Sequence, residues 1–438
     1  MVVFRGSSMA EEIAAFTNCS QLQVAGVARR WTFQKWHWWL LVIGLLLRCA
    51  FSLTVDKESS FGGWDGKEYY AYAHSLWHLS DAYPRFFNSI RPPFYPIFLM
   101  PFVAISNQVW PIQLAQSFIG VFQCFLLAHI AGRWRGQQAG SWAFAIALFH
   151  PFLIFYCAFV LTETVFITLL WVGIACLQRL DQQVLKDSTR WLTFGGLALG
   201  LGCLTRAPLQ PFLIVAALWI GWRTLHHSGW LSALKRMAYF TLIVSSLLLP
   251  VIVRNYIVHG GVTLAPGGGP EMLALGNSPE YLRMYEARSK DEYYRISDHL
   301  VARISLEASP SLGTWLDEVR DFRQNHRAEW WRLQWYKFKH FWTPWLNPVI
   351  FSRTNFLVSL VATTPLFLLA AVELIRRGTK PDSFLLLLLG LVAVGYLVGG
   401  FLFHVQVRYR FPFVDVTFII LSASLLGDLT RRICSRRA

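Results

Sequence analysis

Apolar stretches of about 17 to 22 residues, the length that carries an α-helix across the hydrocarbon core of a bilayer, recur along most of the chain. The composition agrees with this pattern. Of the 438 residues, 55% are hydrophobic and 15% are charged, whereas soluble domains carry roughly a quarter charged residues. The sequence therefore predicts a polytopic membrane protein, and it excludes a secreted mini-protein, a disordered chain and an ordinary cytosolic enzyme.

The apolar pattern predicts an all-α bundle of about ten transmembrane helices. The predicted spans are residues 36–55, 110–131, 139–157, 161–178, 191–206, 209–224, 237–257, 354–375, 383–403 and 411–428. Residues 92–106 are also apolar, but this segment is short and begins with two prolines. We expect it to be re-entrant or to lie at the membrane interface.

The distribution of basic residues favours ten crossings over eleven. With ten, the arginine-rich loops after residues 131, 178, 224 and 375 share one side with the basic tail, as the positive-inside rule requires. Both termini are then cytoplasmic. The first 35 residues lack the hydrophobic run of a signal peptide, so we expect the first span to remain as an uncleaved anchor.

The net charge and the cysteines exclude other classes of function. Lys+Arg 40 against Asp+Glu 25 gives a net charge of +15, but no basic stretch carries a nucleic-acid-binding motif, and no nucleic-acid partner is expected. The 7 cysteines show no CxxC and no metal-ligand spacing. Neither a disulfide nor a zinc site is predicted.

In this topology, unusual ionisable residues near the helix ends fall on the outer face. Such residues are costly at membrane depth and are usually functional, although a single arginine at a helix end is more often an anchor that reaches the interface. Arg48, late in the first span, is expected to extend outward or to pair with an acid of the first loop. The convergence of several acids and bases is the functional signal, and the set comprises Asp65, Glu68, Arg91, Glu163, Arg206, Arg254, Arg408 and Arg410.

This set suits an anionic substrate. Arginines hold a phosphate through paired, charge-assisted hydrogen bonds, and a nearby carboxylate can take a proton from an attacking hydroxyl. At an outer membrane surface, the combination points to a lipid-phosphate substrate. A transporter of an anion would share these features.

Short motifs in a defined order add specificity. They are GlyGlyTrpAspGlyLysGluTyrTyr at 62–70, ArgProProPheTyrProIlePheLeu at 91–99, LeuThrGluThrValPhe at 161–166, LeuThrArgAlaPro at 204–208, ArgAsnTyr at 254–256 and ArgTyrArgPhePro at 408–412. In this order the chain resembles the GT-C glycosyltransferases, in particular the bacterial relatives of protein O-mannosyltransferase and of the lipid A aminoarabinose transferase. The resemblance spans most of residues 36–428.

The resemblance implies a transferase that uses a polyprenyl-phosphate-linked sugar on the extracytoplasmic (periplasmic) face and inverts the anomeric carbon. Asp65 would be the catalytic base. Arg91 would face the donor phosphate with help from Arg254, while Glu163 and Glu68 would orient the acceptor or the sugar. Arg408 and Arg410 would bind the phosphate or the acceptor. Arg206, a further candidate for substrate binding, lies in one of the matching motifs.

One departure concerns a metal ion. The aminoarabinose-transferase pattern has a glutamate shortly before its basic-Pro-Pro motif, where this chain has Ser89 and Ile90. We therefore expect no required cofactor or metal, although Asp65 with Glu163 could ligate a divalent ion through oxygen.

The expected partners are a polyprenyl-phosphate sugar donor, membrane lipid, and an acceptor that is a glycan, a lipid or a protein. Two alternatives remain open: a transporter or flippase of an anionic lipid or glycan, and a glycan polymerase or ligase that uses a lipid diphosphate. The predicted organisation is a cytoplasmic segment 1–35, a catalytic transmembrane module 36–257 with an outer loop 56–91, an extracytoplasmic loop region 258–353 with interfacial helices, and C-terminal helices with a basic tail at 354–438.

Overall fold

The computed structural model describes residues 31–78, 91–182, 188–262, 264, 269–306 and 312–437. Throughout these ranges the regular structure is helical and contains no strand. Most of the predicted N-terminal segment, and the positions of Ser89 and Ile90, lie outside the described residues. The helices of the N-terminal half are α1 Lys35–Thr54, α2 Trp64–Trp77, α3 Phe94–Ile105, α4 Trp110–Arg135, α5 Gln137–Phe149, α6 Glu163–Gln182, α7 Ser188–Thr205 and α8 Gln210–His259.

The C-terminal half divides into short helices and long ones. The short helices of the loop region are α9 Gly269–Leu275, α10 Pro279–Glu286, α11 Lys290–Leu306, α12 Leu312–Asn325 and α13 Arg327–Trp342. The long helices are α14 Arg353–Gly378, α15 Ser383–Tyr396, which continues as a π-helix over Leu397–Leu402, and α16 Asp415–Arg437.

The predicted all-α membrane bundle is confirmed. Within the described ranges, 6 helical stretches are long and apolar enough to cross a membrane, and a helix coincides with each of the ten predicted spans. One of the 6 stretches, Ala207–Val258, covers two predicted spans. It bends at Gly229, where φ is 76° and ψ is 170°, a conformation that side chains with a Cβ rarely adopt. The break at Gly229 lies between the two spans that the sequence predicted within this stretch.

The α3 helix is too short to cross a membrane. It has 12 residues, which at 1.5 Å per residue span about 18 Å against a hydrocarbon core of about 30 Å. Two prolines precede it, and it packs against α2. Its length supports the prediction that this segment does not cross.

Ion pairs gather several helix ends at the end of the bundle away from α2. Arg135, at the end of α4, pairs with Asp382, the N-cap of α15. Arg377, near the end of α14, pairs with Asp428 of α16 at 2.7 Å. These contacts join loops that the charge pattern had assigned to one side of the membrane.

The loop-region helices share a small core of their own. Its buried members are Leu275, Tyr281, Leu282, Met284, Leu300, Phe322 and Leu333. Lys337 of α13, fully buried, donates to the carbonyl of Gly276 at 3.1 Å, to Asn277 Oδ1 at 3.2 Å and to the carbonyl of Phe401. This lysine therefore fastens the loop region to the chain just before Arg408.

Arg48 lies inside the bundle instead of extending outward, and no acid among the described residues pairs with it, contrary to expectation. Its guanidinium is buried and donates to the carbonyls of Leu148 at 2.8 Å and Ala147 at 3.2 Å. The α5 helix ends before Pro151, so the last carbonyls of α5 lack intrahelical partners. Arg48 satisfies them inside the bundle.

Candidate active site

One face of α2 carries the first group of polar residues. Asp65, Glu68, Tyr69 and Tyr72 recur at the i, i+3, i+4 and i+7 spacing that places side chains on one side of a helix. The helix begins after Gly63, whose φ of 102° is a conformation that favours glycine. This sharp entry places Asp65 in the first turn.

Arg91 links α2 to the segment before α3. It donates to Asp65 Oδ1 at 2.6 Å and to Glu68 Oε2 at 2.7 Å, and its guanidinium lies 5.6 Å from the centre of the Tyr69 ring. Tyr69 packs edge-on against Tyr95 at 5.2 Å. Arg91 therefore holds both carboxylates of α2.

Glutamines of α4 hold the segment that leads into Glu163. Gln113 donates to the carbonyl of Ala158 at 3.0 Å, and Gln116 donates to that of Phe159 at 2.7 Å. Gln123 donates to Thr164, one residue beyond Glu163, at 2.6 Å. These bonds satisfy carbonyls around an irregular turn and fix where α6 begins. Glu163, the first residue of α6, is 0% exposed.

Two arginines from distant parts of the chain meet at Glu163. Arg206 follows the end of α7 in an extended conformation, and its Nη1 donates to Glu163 Oε1 at 2.7 Å. Arg408 lies in the helical turn Val407–Arg410. Its Nε donates to Glu163 Oε1 at 2.8 Å and its Nη1 to Asp65 Oδ2 at 2.7 Å.

Six of the eight predicted site residues thus form one alternating series of bases and acids, which we call the ion-pair chain. In spatial order it runs Arg206, Glu163, Arg408, Asp65, Arg91, Glu68. Three positive and three negative charges alternate along it. Its members come from five separate segments, so only the tertiary fold assembles it.

The arginines control the charge state of Asp65. Partial burial of its carboxyl would raise the pKa, but Arg408 and Arg91 outweigh burial and hold the pKa of Asp65 below its usual value. Burial would lower the pKa of Arg91, and Asp65 raises it overall. Burial raises the pKa of Tyr69 to about 12, so its phenol stays protonated. The site is ionised but internally balanced at neutral pH.

The other two predicted residues lie outside the ion-pair chain. Arg254, near the end of α8, is buried beside the phenol of Tyr72 and so contacts the polar face of α2. The guanidinium of Arg410 points elsewhere. It makes a two-pronged pair with Asp415 at 2.8 and 3.0 Å and donates to the carbonyls of Phe341 and Thr343. Arg410 therefore ties α13 to the start of α16.

Aromatic residues complete the surroundings of the ion-pair chain, although the predicted site residues were all charged. Arg206 lies 5.2 Å from the ring centre of Tyr409 and 5.7 Å from that of Phe166, distances at which a cation is attracted to a ring. Tyr69, Phe166 and Tyr409 all lie within the short motifs identified in the sequence, which were the available signal.

An apolar groove is lined by residues that follow Arg91 and Glu163 closely in the sequence. It has a volume of about 400 Å³ and is lined by Phe94, Phe98, Phe118, Ile119, Phe122, Val165, Thr168 and Leu169. Phe94 begins α3 three residues after Arg91, and Val165 follows Glu163 by two residues. Phe118 and Phe122 are 60% and 50% exposed. The groove thus opens on the outer, apolar surface of the bundle.

Comparison with known proteins supports both the fold and the motifs. Residues 90–253 match the family described as dolichyl-phosphate-mannose-protein mannosyltransferase. None of the curated proteins compared with the chain matches it. The matched family segment includes Arg91, Glu163 and Arg206.

Solved structures resemble the chain over nearly its full length. The oligosaccharyltransferase AglB from Archaeoglobus fulgidus, in complex with an inhibitory peptide and a dolichol-phosphate, aligns with a TM-score of 0.52 and 11% identity over 92% of this chain and 51% of that one. The oligosaccharyltransferase of the same organism in complex with Zn and sulfate aligns with a TM-score of 0.52 and 12% identity, over 91% of this chain and 50% of that one. ArnT from Cupriavidus metallidurans in the apo state aligns with a lower TM-score of 0.37 and 15% identity, over 90% of this chain and 78% of that one.

The chain spans about half the length of the archaeal oligosaccharyltransferase, and at this identity the likeness establishes the fold alone. The resemblance predicted from the ordered motifs is confirmed: this chain is a membrane protein with the GT-C glycosyltransferase fold, and its residues 90–253 match the protein mannosyltransferase family.

Proposed function

We propose that the protein is an integral membrane glycosyltransferase. It moves a sugar from a polyprenyl-phosphate-linked donor to an acceptor hydroxyl on the extracytoplasmic face, with Asp65 as the base. The ion-pair chain is the observation that carries this proposal. Glycosyl transfer from a lipid phosphate needs a carboxylate for the acceptor proton and guanidiniums for the phosphate. The ion-pair chain holds carboxylates and guanidiniums in contact with each other.

The proposed transfer assigns a residue to the main bond changes. Asp65 takes the proton of the acceptor hydroxyl, whose oxygen forms a bond to the anomeric carbon. The bond from that carbon to the phosphate oxygen breaks with inversion, and polyprenyl phosphate leaves with the electron pair. Arg91, supported by Arg254, stabilises the charge that grows on the leaving phosphate. Such charge stabilisation is often the largest contribution to catalysis.

The ion pairs also explain how the base becomes available. In the described arrangement both oxygens of Asp65 accept hydrogen bonds from guanidiniums, at 2.6 Å from Arg91 and 2.7 Å from Arg408. A phosphate that draws Arg91 toward itself releases Asp65 Oδ1, while Arg408 keeps Oδ2. Donor binding therefore exposes one basic oxygen only when a leaving group is in place.

The apolar groove supports a lipid-linked donor. Its lining is almost entirely hydrocarbon and aromatic, and it includes Phe94, which follows Arg91 by three residues, and Val165, which follows Glu163 by two. A phosphate held at the ion-pair chain places the first isoprene units of its lipid at the mouth of the groove. Burial of apolar chain there contributes binding energy in proportion to the area covered.

The charge pattern supports this sidedness. The ion-pair chain and the arginines of the α4 and α14 ends lie at opposite ends of the bundle, and basic loops favour the cytoplasm. Lys67 and Lys380 mark the two ends, and cysteines introduced there in a cysteine-free background should differ in labelling by a membrane-impermeant maleimide. We expect labelling at position 67 in intact cells and at position 380 only after permeabilisation.

Turnover of purified protein tests the function directly. Wild type and Asp65→Asn are incubated in detergent with a panel of radiolabelled polyprenyl-monophosphate sugars, and donor hydrolysis or transfer is measured. General-base catalysis contributes about 10²–10⁴ in rate, so we expect Asp65→Asn to lower kcat about 100- to 10,000-fold.

A matched control lies on the same helix. Lys67 pairs with Glu58 at 2.8 Å and faces solvent outside the ion-pair chain, so Lys67→Ala should keep wild-type turnover. Full activity in Asp65→Asn would refute the assigned base. Consumption of lipid-diphosphate donors alone, by folded protein, would instead favour a polymerase or ligase.

A further inference from the structure

Arg408 lies between two carboxylates that belong to different elements. Asp65 is in the first turn of α2 and Glu163 begins α6, yet one guanidinium contacts Asp65 Oδ2 at 2.7 Å and Glu163 Oε1 at 2.8 Å. Arg408 is half-buried and Glu163 is fully buried. The positive charge between these two acids is thus supplied by a side chain.

Two carboxylates that converge from separate segments are an arrangement that oxygen-binding divalent cations use. The similar archaeal fold has been solved in complex with Zn and sulfate, which raises the question for this chain. Whether a divalent ion fits this site depends on the metal-ligating side chains around Asp65 and Glu163.

The donor set does not fit a divalent ion. Among the described residues, no group of three or more His, Cys, Asp or Glu side chains is placed to hold a metal. The third nearby acid, Glu68, is held by Arg91 at 2.6 Å. A cation between Asp65 and Glu163 would have to displace the Arg408 guanidinium, which already contacts Asp65 Oδ2 at 2.7 Å and Glu163 Oε1 at 2.8 Å.

We propose that the Arg408 guanidinium takes the position and the electrostatic role of a divalent metal ion in this protein. It holds Asp65 and Glu163 at a fixed separation and, together with Arg206 and Arg91, balances their charge, so that glycosyl transfer needs no metal. Arg408 is then a positioning residue for the base. This inference rests on the proposed function for its catalytic consequence, but its structural claim is independent of turnover.

Metal binding by the full-length protein in detergent tests the claim without a substrate. Mn²⁺ is titrated into chelator-treated wild type, Arg408→Ala and Arg408→Gln, and free Mn²⁺ is followed by its electron paramagnetic resonance signal. Arg320→Ala is the matched control, because Arg320 is exposed and pairs with Asp317 within α12 at 3.4 Å.

We expect no stoichiometric Mn²⁺ binding by wild type or by Arg320→Ala. In the Arg408 variants two carboxylates lose their shared cation, and we expect one Mn²⁺ to bind at least tenfold more tightly than to wild type. Glu163→Gln added to Arg408→Gln should abolish that binding, and guanidinium chloride should compete with it.

Two results would overturn the inference. The first is stoichiometric Mn²⁺ or Zn²⁺ binding by wild type that is lost in Glu163→Gln. The second is unchanged Mn²⁺ affinity in both Arg408 variants, each shown to be folded by gel filtration and thermal unfolding.

Turnover with and without EDTA separates this inference from the proposed function. Donor consumption that is lost in EDTA and restored by Mn²⁺ would refute the metal-free role of Arg408 and leave the transferase standing. If no monophosphate donor is consumed with or without metal, the transferase proposal fails, and the Mn²⁺ titration still decides the role of Arg408.

Discussion

Arg206 donates to Glu163 across 2.7 Å, and their side chains are only 8% and 0% exposed. Removal of one partner from a buried ion pair costs about 3–5 kcal/mol because it leaves a charge without compensation. Glu163 keeps Arg408 as a second partner, so Arg206→Leu should lower the free energy of unfolding by about 3 kcal/mol, the lower end of that range. Chemical denaturation in detergent measures this, with Arg320→Ala as the exposed control. Wild-type stability in Arg206→Leu would show that the pair contributes nothing.

The charge state of Asp65 predicts a pH dependence. Burial raises its pKa, and Arg408 and then Arg91 lower it by more. The acid limb of kcat/KM should therefore lie below the ordinary carboxyl pKa in wild type and move to higher pH in Arg408→Gln. Profiles of donor turnover against pH check this, and identical acid limbs in the two proteins would contradict it.

The lowered pKa of Asp65 also determines how the stability of the folded protein depends on pH. The folded pKa of Asp65 lies below its unfolded value of about 3.9. Its contribution is therefore fully present above that value and is lost as pH falls through the folded pKa. Thermal unfolding between pH 3 and 7 should show a smaller acid-induced loss in Asp65→Asn than in wild type.

The sequence predicted the bundle because apolar length is a local property. Each predicted span could be identified without knowledge of its neighbours, and a helix lies at every one. The ion-pair partners depend on contacts between distant segments. The order Arg206, Glu163, Arg408, Asp65 joins residues far apart in the chain, and periodicity carries no information about such pairs.

Arg48 and Arg410 also show that the sequence does not reveal the contacts of an ionisable residue. Both are ionisable residues near helix ends, the pattern that indicated function. Their guanidiniums instead satisfy backbone carbonyls where helices break, at Leu148 for Arg48 and at Phe341 for Arg410. Only the structure reveals that these two guanidiniums lie at the ends of helices.

The apolar groove predicts a dependence on the lipid chain. Phe118 and Phe122 line the groove, and together they offer apolar area worth about 1–2 kcal/mol to a bound chain. Phe118→Ala with Phe122→Ala should raise KM about 5- to 30-fold for a long polyprenyl donor. KM for a short-chain analogue that does not reach the groove should stay unchanged.

Phe194 provides the control for the groove. It is exposed on α7 to a similar degree, at 51%, and does not line the groove. Phe194→Ala should therefore leave KM for both donors unchanged. An equal rise in KM for long and short donors in the groove variant would show that the phenylalanines act on the site rather than on the lipid chain.

Arg408 and Arg410, two residues apart, should respond differently to substitution. Arg410 and Asp415 are 2% and 0% exposed, and Arg410 also supports the end of α13. Arg410→Ala should lower the free energy of unfolding by about 3–5 kcal/mol, the cost of breaking a buried pair. Arg408→Lys keeps the charge but loses the two-sided contact, so it should lower kcat while changing stability much less. Unfolding and turnover measured on both variants separate the roles. A stable Arg410→Ala protein that has lost turnover would instead place Arg410 among the substrate-binding residues.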